Sequence, residues 1–274
     1  MRERQPFLPV LLVGAGRMGG ALLNGWISNN IGPLAVVEPN QSGELRRLAR
    51  SAGVALHRSA SEVTKPPLVC VIALKPQILK TEASRIAPIA HSGALMISIA
   101  AGAGTRSLRN AWGKNTRIIR AMPNTPGRIG HGISALYAGK GIPQEDRKLA
   151  ESLLAALGET IWVARETLID SVTAVSGSGP AYVFLLAEAL ARAAKAEGLP
   201  QRAAEKLARA TVAGSGALLD ADVRSPDRLR RDVTSPGGTT EAALKVLEAP
   251  GGLKPLIARA VHAARRRAAA LALG

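Results

Sequence analysis

Leu8-Pro9-Val10-Leu11-Leu12-Val13-Gly14-Ala15-Gly16-Arg17-Met18-Gly19-Gly20-Ala21-Leu22-Leu23-Asn24-Gly25-Trp26-Ile27-Ser28 decides the fold. Its first part, Leu8–Val13, is a short apolar run and reads as a buried strand. Met18–Ser28 carries apolar residues at helical spacing and reads as a helix. Between them lies a glycine turn of the form GxGxxG, in the strand–turn–helix context that gives this pattern its meaning. Gly14 permits a tight turn, Gly16 lets a pyrophosphate approach the backbone, and Gly19 lets helix and strand pack closely. The helix start then offers free N–H groups and a positive dipole end to phosphates. The stretch therefore predicts a nicotinamide dinucleotide site.

Outward from this turn the pattern repeats. Leu34–Glu38 reads as a second strand, Gly43–Ala52 as a helix and Val54–Leu56 as a short strand. Leu68–Leu74, Ala94–Ile99 and Ile118–Met122 are further apolar runs. Continuous apolar strands separated by helical patterns imply a parallel, doubly wound sheet covered on both faces. After Ile161-Trp162-Val163 the signal turns helical, with Pro180–Glu197, Gln201–Leu219, Thr239–Leu247 and Leu253–Leu273 as the long patterns. The expected division is thus an α/β Rossmann domain over residues 1–164 and an all-helical domain over residues 165–274.

Glu38, at the end of the second strand, bears on the choice of dinucleotide. A carboxylate there accepts hydrogen bonds from the adenine-ribose hydroxyls and repels a 2′-phosphate, which favours NADH over NADPH. The alternative is that Pro39 turns the strand end away and leaves Glu38 solvated. Ala73-Leu74-Lys75-Pro76-Gln77 leaves the carboxyl end of the most apolar strand, where ligands of doubly wound sheets bind, and Lys75 is placed to reach the cofactor. Ala100-Ala101-Gly102 and Met122-Pro123-Asn124-Thr125-Pro126 end later strands on the same edge, with small residues that leave room for a nicotinamide ring.

Composition narrows the remaining classes. The 274 residues include 36 Lys and Arg against 20 Asp and Glu, a formal charge of +16. The cations are spread along the chain with no stacking aromatics between them, so no nucleic-acid partner is expected. No uninterrupted apolar run reaches the roughly 18 residues of a membrane span, and Arg2 and Arg4 precede no convincing cleavage site. No membrane association is expected, and a cytoplasmic protein is. Cys70 lies alone within an apolar strand, which excludes an internal disulfide and makes it a poor nucleophile. His57, His91, His131 and His262 show no ligand spacing, so no metal site is expected.

Two glycine-rich stretches stand in the helical half. Ser176-Gly177-Ser178-Gly179-Pro180 precedes a long helix, and Asp232-Val233-Thr234-Ser235-Pro236-Gly237-Gly238-Thr239-Thr240-Glu241-Ala242-Ala243-Leu244 runs into another. Both have the residues of ordinary helix caps. The second also gathers backbone N–H groups and hydroxyls at a helix start, which suits a small carboxylate.

With GAGRMG, Ala73–Gln77, Arg120–Pro126, Ser176–Tyr182 and Asp232–Leu244 in this order, the chain resembles the Δ1-pyrroline-5-carboxylate reductase family over essentially its whole length. The resemblance implies a Rossmann domain followed by a helical domain that interlocks with its partner in a homodimer, with further assembly commonly into decamers. It implies hydride transfer from NAD(P)H to the C=N carbon of 1-pyrroline-5-carboxylate, giving L-proline. The cofactor residues it implies are Val13, Gly14, Ala15, Gly16, Arg17 and Met18, the position of Glu38, Ala73, Leu74, Lys75, Pro76, Ala100 and Gly102. Gly19 and Asn124 join them from the turn and the strand-end loop. The substrate residues it implies are Ser235, Gly237, Gly238, Thr239 and Thr240, and Thr240 Oγ1 is expected near the ring nitrogen as the catalytic hydroxyl.

NADPH-using relatives carry a small hydroxyl residue where this chain has Glu38, so family habit points to NADPH and charge to NADH. A β-hydroxyacid dehydrogenase of the same fold would carry a lysine early in the long helix, where this chain reads Ala181-Tyr182-Val183-Phe184-Leu185. A non-catalytic dinucleotide sensor and a nucleic-acid-binding protein on the same scaffold are the readings from another class that the fold itself permits.

Overall fold

The computed structural model describes residues 9–273. β1 (Val10–Val13), β2 (Leu34–Val37), β3 (Ala55–His57), β4 (Val69–Ile72), β5 (Leu95–Ser98), β6 (Ile118–Met122), β7 (Gly132–Ala138) and β8 (Gly158–Trp162) form one sheet in the order β3-β2-β1-β4-β5-β6-β7-β8. The first six strands are parallel. Strand order reverses between β1 and β4, the place where doubly wound sheets open a crevice at their carboxyl ends. β7 runs antiparallel to β6, and β8 parallel to β7. β7 is absent from the sequence-based reading, and β8 begins three residues before the Ile161–Val163 run. The expected strand start at Leu8 lies outside the described residues.

Successive residues of each central strand face opposite sides, and each side has its own core. Val10, Leu12, Val36, Val69, Val71, Leu95 and Ile97 pack against Leu22, Leu23 and Trp26 of α1 (Arg17–Ser28). Leu11, Val13, Cys70, Ile72 and Met96 face the opposite side, with Leu79, Ile86, Leu108 and Trp112. α2 spans Gly43–Ala52, α3 Pro76–His91, α4 Thr105–Trp112 and α5 Gln144–Leu154. Two indoles tie the helices together: Trp26 Nε1 donates to the Leu153 carbonyl at 2.8 Å and Trp112 Nε1 to the Ala83 carbonyl at 3.0 Å. Burial in this core pushes the Cys70 thiol up, away from any nucleophilic role.

From Leu168 the chain is helical: α6 (Leu168–Val172), a π turn over Thr173–Gly177, α7 (Gly179–Ala196), α8 (Gln201–Ala221), α9 (Pro226–Asp232), α10 (Thr239–Leu247) and α11 (Leu253–Leu273). The Ser176–Pro180 stretch is not the capped loop expected from sequence. It lies in a nearly unbroken helical run, and Ser178 makes no side-chain cap. A side chain at Gly177 would collide with Met122 Cε, 2.8 Å from an ideal Cβ, so glycine lets the π turn lie against the end of β6.

Contacts divide the molecule into two compact units, parting between Gly177 and Ser178, with the chain from Arg265 belonging to the first. Within the second unit only Ala204 and Ala208 are buried among the described residues. Phe184 and Leu185 are 68% and 63% exposed, and Val183, Leu186 and Leu190 of the same helix are exposed too. The run Leu168–Ala196 is long and apolar enough to span a membrane by length and composition, with a mean hydropathy of 1.3 in its most apolar window. An apolar surface of this extent calls for a protein partner or an apolar phase.

Candidate active site

The cofactor residues named from sequence fall on loops that leave the carboxyl edge of the sheet. Gly14–Gly16 follow β1, Glu38 follows β2, Ala73–Lys75 follow β4, Ala100–Gly102 follow β5 shortly after Ser98, and Asn124 follows β6. Parallel strands bring these loops to one edge, as the alternation of apolar strands and helices in the sequence implies.

The three glycines of the turn have different reasons to be glycine. Gly14 has φ +92°, and a Cβ there would stand 2.9 Å from the Ala73 carbonyl oxygen and from Leu74 Cδ2. A Cβ on Gly19 would collide with the Gly14 carbonyl and press on Ala73 Cβ at 3.1 Å. Gly16 faces open space, with no atom within 4 Å of an ideal Cβ. Protein packing explains Gly14 and Gly19, whereas Gly16 keeps clear a surface that packing leaves empty. It is also the N-cap of α1, which has no side-chain cap and no acidic residue in its first turn. Those unsatisfied donors and that open surface fit a pyrophosphate.

Glu38 is half-buried and fixed in place. Its Oε2 accepts the Ala15 N–H at 2.9 Å and its Oε1 accepts the Asn40 N–H at 2.9 Å. Its own N–H donates to the His57 carbonyl at 2.9 Å, so the backbone stays in sheet register past the formal end of β2. The outward-turned, solvated Glu38 weighed as an alternative is therefore not what the chain adopts. Pro39 does turn the chain, but the turn presents the Asn40 amide to the carboxylate.

The other loops are settled by backbone bonds. Ala73 N–H donates to the Val13 carbonyl at 2.8 Å, which locks the β4 loop against the glycine turn. Lys75 is exposed at the N-cap of α3, followed by Pro76 in the first turn. Ala100 is buried, and Gly102, with φ +74°, lies against the Leu271 backbone. Asn124 spends its Oδ1 on the Ile133 N–H at 3.0 Å, so its carbonyl oxygen braces the turn into β7.

Sequence reasoning passed over Glu166. Its Oε1 accepts the Thr105 N–H at 2.6 Å and the buried Arg120 Nη1 at 2.8 Å, and its Oε2 accepts the Thr105 hydroxyl at 2.6 Å. Burial raises the Glu166 pKa, but these bonds and the charge of Arg120 outweigh it and hold the carboxyl below its usual range. The same residue thus caps α4, just after the β5 loop, and neutralises a cation on β6.

In the second unit, Ser235–Thr240 forms a tight turn into α10. Gly237 has φ +70°, and Gly238 N–H donates to the Ser235 carbonyl at 3.0 Å. Gly238 is the N-cap of α10 with no side-chain cap, and Thr239 and Thr240 open the helix. Glu241 Oε2 accepts the Gly237 N–H at 2.9 Å, so this amide is already engaged by the protein. The donors at the start of α10 stand beside the half-buried Thr240 hydroxyl. Asp232 is bound by Arg224 at 2.7 Å and Arg228 at 3.1 Å, which fixes the entry to the turn. Among the described residues no group of three or more His, Cys, Asp or Glu gathers to hold a metal.

A doubly wound sheet carrying this turn at its switch point is the architecture of the dinucleotide-binding proteins, the class to which NAD(P)-dependent oxidoreductases belong. Residues 166–271 match the family described as pyrroline-5-carboxylate reductase dimerisation, and residues 9–102 the one described as NADP oxidoreductase, coenzyme F420-dependent. Pyrroline-5-carboxylate reductase of Pseudomonas aeruginosa is 37% identical over 96% of both chains, and that of Pisum sativum 36% over 93% of both. The solved structure of the Coxiella burnetii pyrroline-5-carboxylate reductase superposes with a TM-score of 0.88 at 37% identity, covering 96% of this chain and 98% of that one. The Plasmodium falciparum pyrroline carboxylate reductase, solved with NADP bound, gives 0.81 at 29% identity over 97% and 98%. The chain belongs to the pyrroline-5-carboxylate reductase family. The dimerisation match spans the whole of the second unit, in which only Ala204 and Ala208 are buried among the described residues.

Proposed function

We infer that this protein reduces 1-pyrroline-5-carboxylate to L-proline with NAD(P)H, the closing step of proline synthesis. The observation that carries this reading is the pairing in one chain of a cofactor turn with Gly16 facing open space and an uncapped helix start at Ser235–Thr240. NAD(P)H supplies the hydride that reduces the C=N carbon. The substrate's own nitrogen is basic enough to be protonated, and the iminium is a far better hydride acceptor than the imine. The task left to the chain is chiefly positioning.

The Ser235–Thr240 turn receives the substrate carboxylate on backbone N–H groups, with Ser235, Gly237, Gly238 and Thr239 shaping the cradle. The Thr240 hydroxyl lies by the ring nitrogen, orients it and relays its proton. On the cofactor side, Val13–Gly19, Ala73–Pro76, Ala100, Gly102 and Asn124 line the dinucleotide, and Lys75 pairs with its phosphates. The functional unit is an interlocked homodimer in which the apolar surface of α7 is covered by the partner, with decamers as the further assembly. Its place of work is the cytoplasm, in keeping with a lone thiol. The domain boundary proposed near residue 164 places Glu166 at the start of the helical domain.

The test is spectrophotometric: purified protein, 1-pyrroline-5-carboxylate, and NADH or NADPH. Oxidation of either cofactor with stoichiometric formation of proline supports the assignment. Binding of cofactor without turnover would identify a sensor instead.

A further inference from the structure

We propose that Glu38 is an anchored charge filter that makes this protein select NADH over NADPH. The proposal rests on the dinucleotide reading of the glycine turn given above. Position alone would be weak grounds, because a carboxylate on a free side chain swings away from an incoming phosphate. Glu38 is not free. Its two oxygens accept one backbone N–H each, from Ala15 and Asn40, both at 2.9 Å. Its backbone is held by the His57 carbonyl, which also accepts from Gln41 Nε2 at 3.2 Å. Moving the carboxylate aside breaks two charge-assisted hydrogen bonds, including one inside the glycine turn itself. Among the described residues no ion pair neutralises it.

Each carboxylate oxygen has lone-pair capacity beyond the one bond it accepts, and the ribose 2′- and 3′-hydroxyls are donors of the right kind. A 2′-phosphate brings negative charge and no donor to the same place. Like-charge juxtaposition of this sort discriminates by repulsion, and it does so most strongly when the repelling group cannot relax. The Ala15 bond has a second effect: the residue that reads the ribose also sets the shape of the turn that holds the pyrophosphate.

The experiment is equilibrium binding of NADH and NADPH to the whole protein without substrate, followed by nicotinamide fluorescence, in the wild type, Glu38→Ser and Glu38→Gln. The wild type is expected to bind NADH at least about tenfold more tightly than NADPH. Both substitutions should collapse that ratio by about tenfold or more, with NADPH tightening in Glu38→Ser. Equal or tighter wild-type binding of NADPH overturns the proposal. So does an unchanged ratio in both variants, or a loss of both cofactors in equal measure, which would reduce Glu38 to a brace for the turn. Because no pyrroline enters the assay, a failure of the substrate assignment leaves these outcomes readable.

Discussion

Glu166 and Arg120, 46 positions apart, meet at 2.8 Å and tie the segment between β8 and α6 to the interior strand β6. Arg120 is buried on β6, and Glu166 is its only ion-pair partner among the described residues. Glu166→Gln should destabilise the protein by about 1–3 kcal/mol, read from chemical denaturation, because it strips the counter-charge from a buried guanidinium.

The same pair sets an acid dependence. The folded-state pKa of Glu166 lies below its ordinary 4.5, so its contribution is complete above the unfolded-state value and is lost as pH falls through the folded one. Thermal melts of wild type and Glu166→Gln should differ most near neutrality and converge in acid. Asp170 works in the opposite sense: burial pushes its carboxyl up despite Arg120 and Arg265, so its protonation relieves the fold as pH falls.

Gly16→Ala and Gly19→Ala separate ligand from packing. The first adds a methyl to open space and should leave the melting temperature nearly unchanged while weakening dinucleotide binding by about tenfold or more. The second drives a methyl into the Gly14 carbonyl and should cost about 1–3 kcal/mol of stability before binding is considered. Calorimetry and a cofactor titration on the two variants check both halves.

Thr240→Ala should lower kcat/KM by about a hundredfold, the usual range for a positioned proton relay, with cofactor affinity preserved. Thr240→Ser should recover most of the loss. Steady-state kinetics on both, beside cofactor titrations, decide whether the hydroxyl acts on the substrate.

Phe184→Asp on α7 should break self-association. The side chain is 68% exposed within the chain, among other apolar side chains on the same helix. Sedimentation should show a smaller species at a given concentration, and the released unit should be prone to aggregation.

How much of this was legible in the sequence follows from the range of each interaction. The glycine turn, the strands beside it and helices such as Gly43–Ala52 and Thr239–Leu247 are written in local patterns, and their bounds agree closely with the structure. β7 was missed because His131-Gly132-Ile133-Ser134 opens with turn-like residues and its pairing is with β6, formed after a reversal. Ser176–Pro180 carries the residues of a helix cap, but Gly177 there permits a close approach to Met122 and Gly179 already belongs to α7. Glu38 was legible as a charge at a strand end; its bond to Ala15, 23 residues back, was not. Glu166 gave no signal, since its partners lie 46 and 61 positions away.

The return of the chain from Arg265 into the first unit means that the second unit is, in topological terms, an insert with both stems rooted in one body. A single proteolytic nick at the exposed bend Gly198–Pro200 would leave two fragments that each retain a stem. Such a nicked protein should migrate as one particle under native conditions and fall apart only when the sheet itself unfolds.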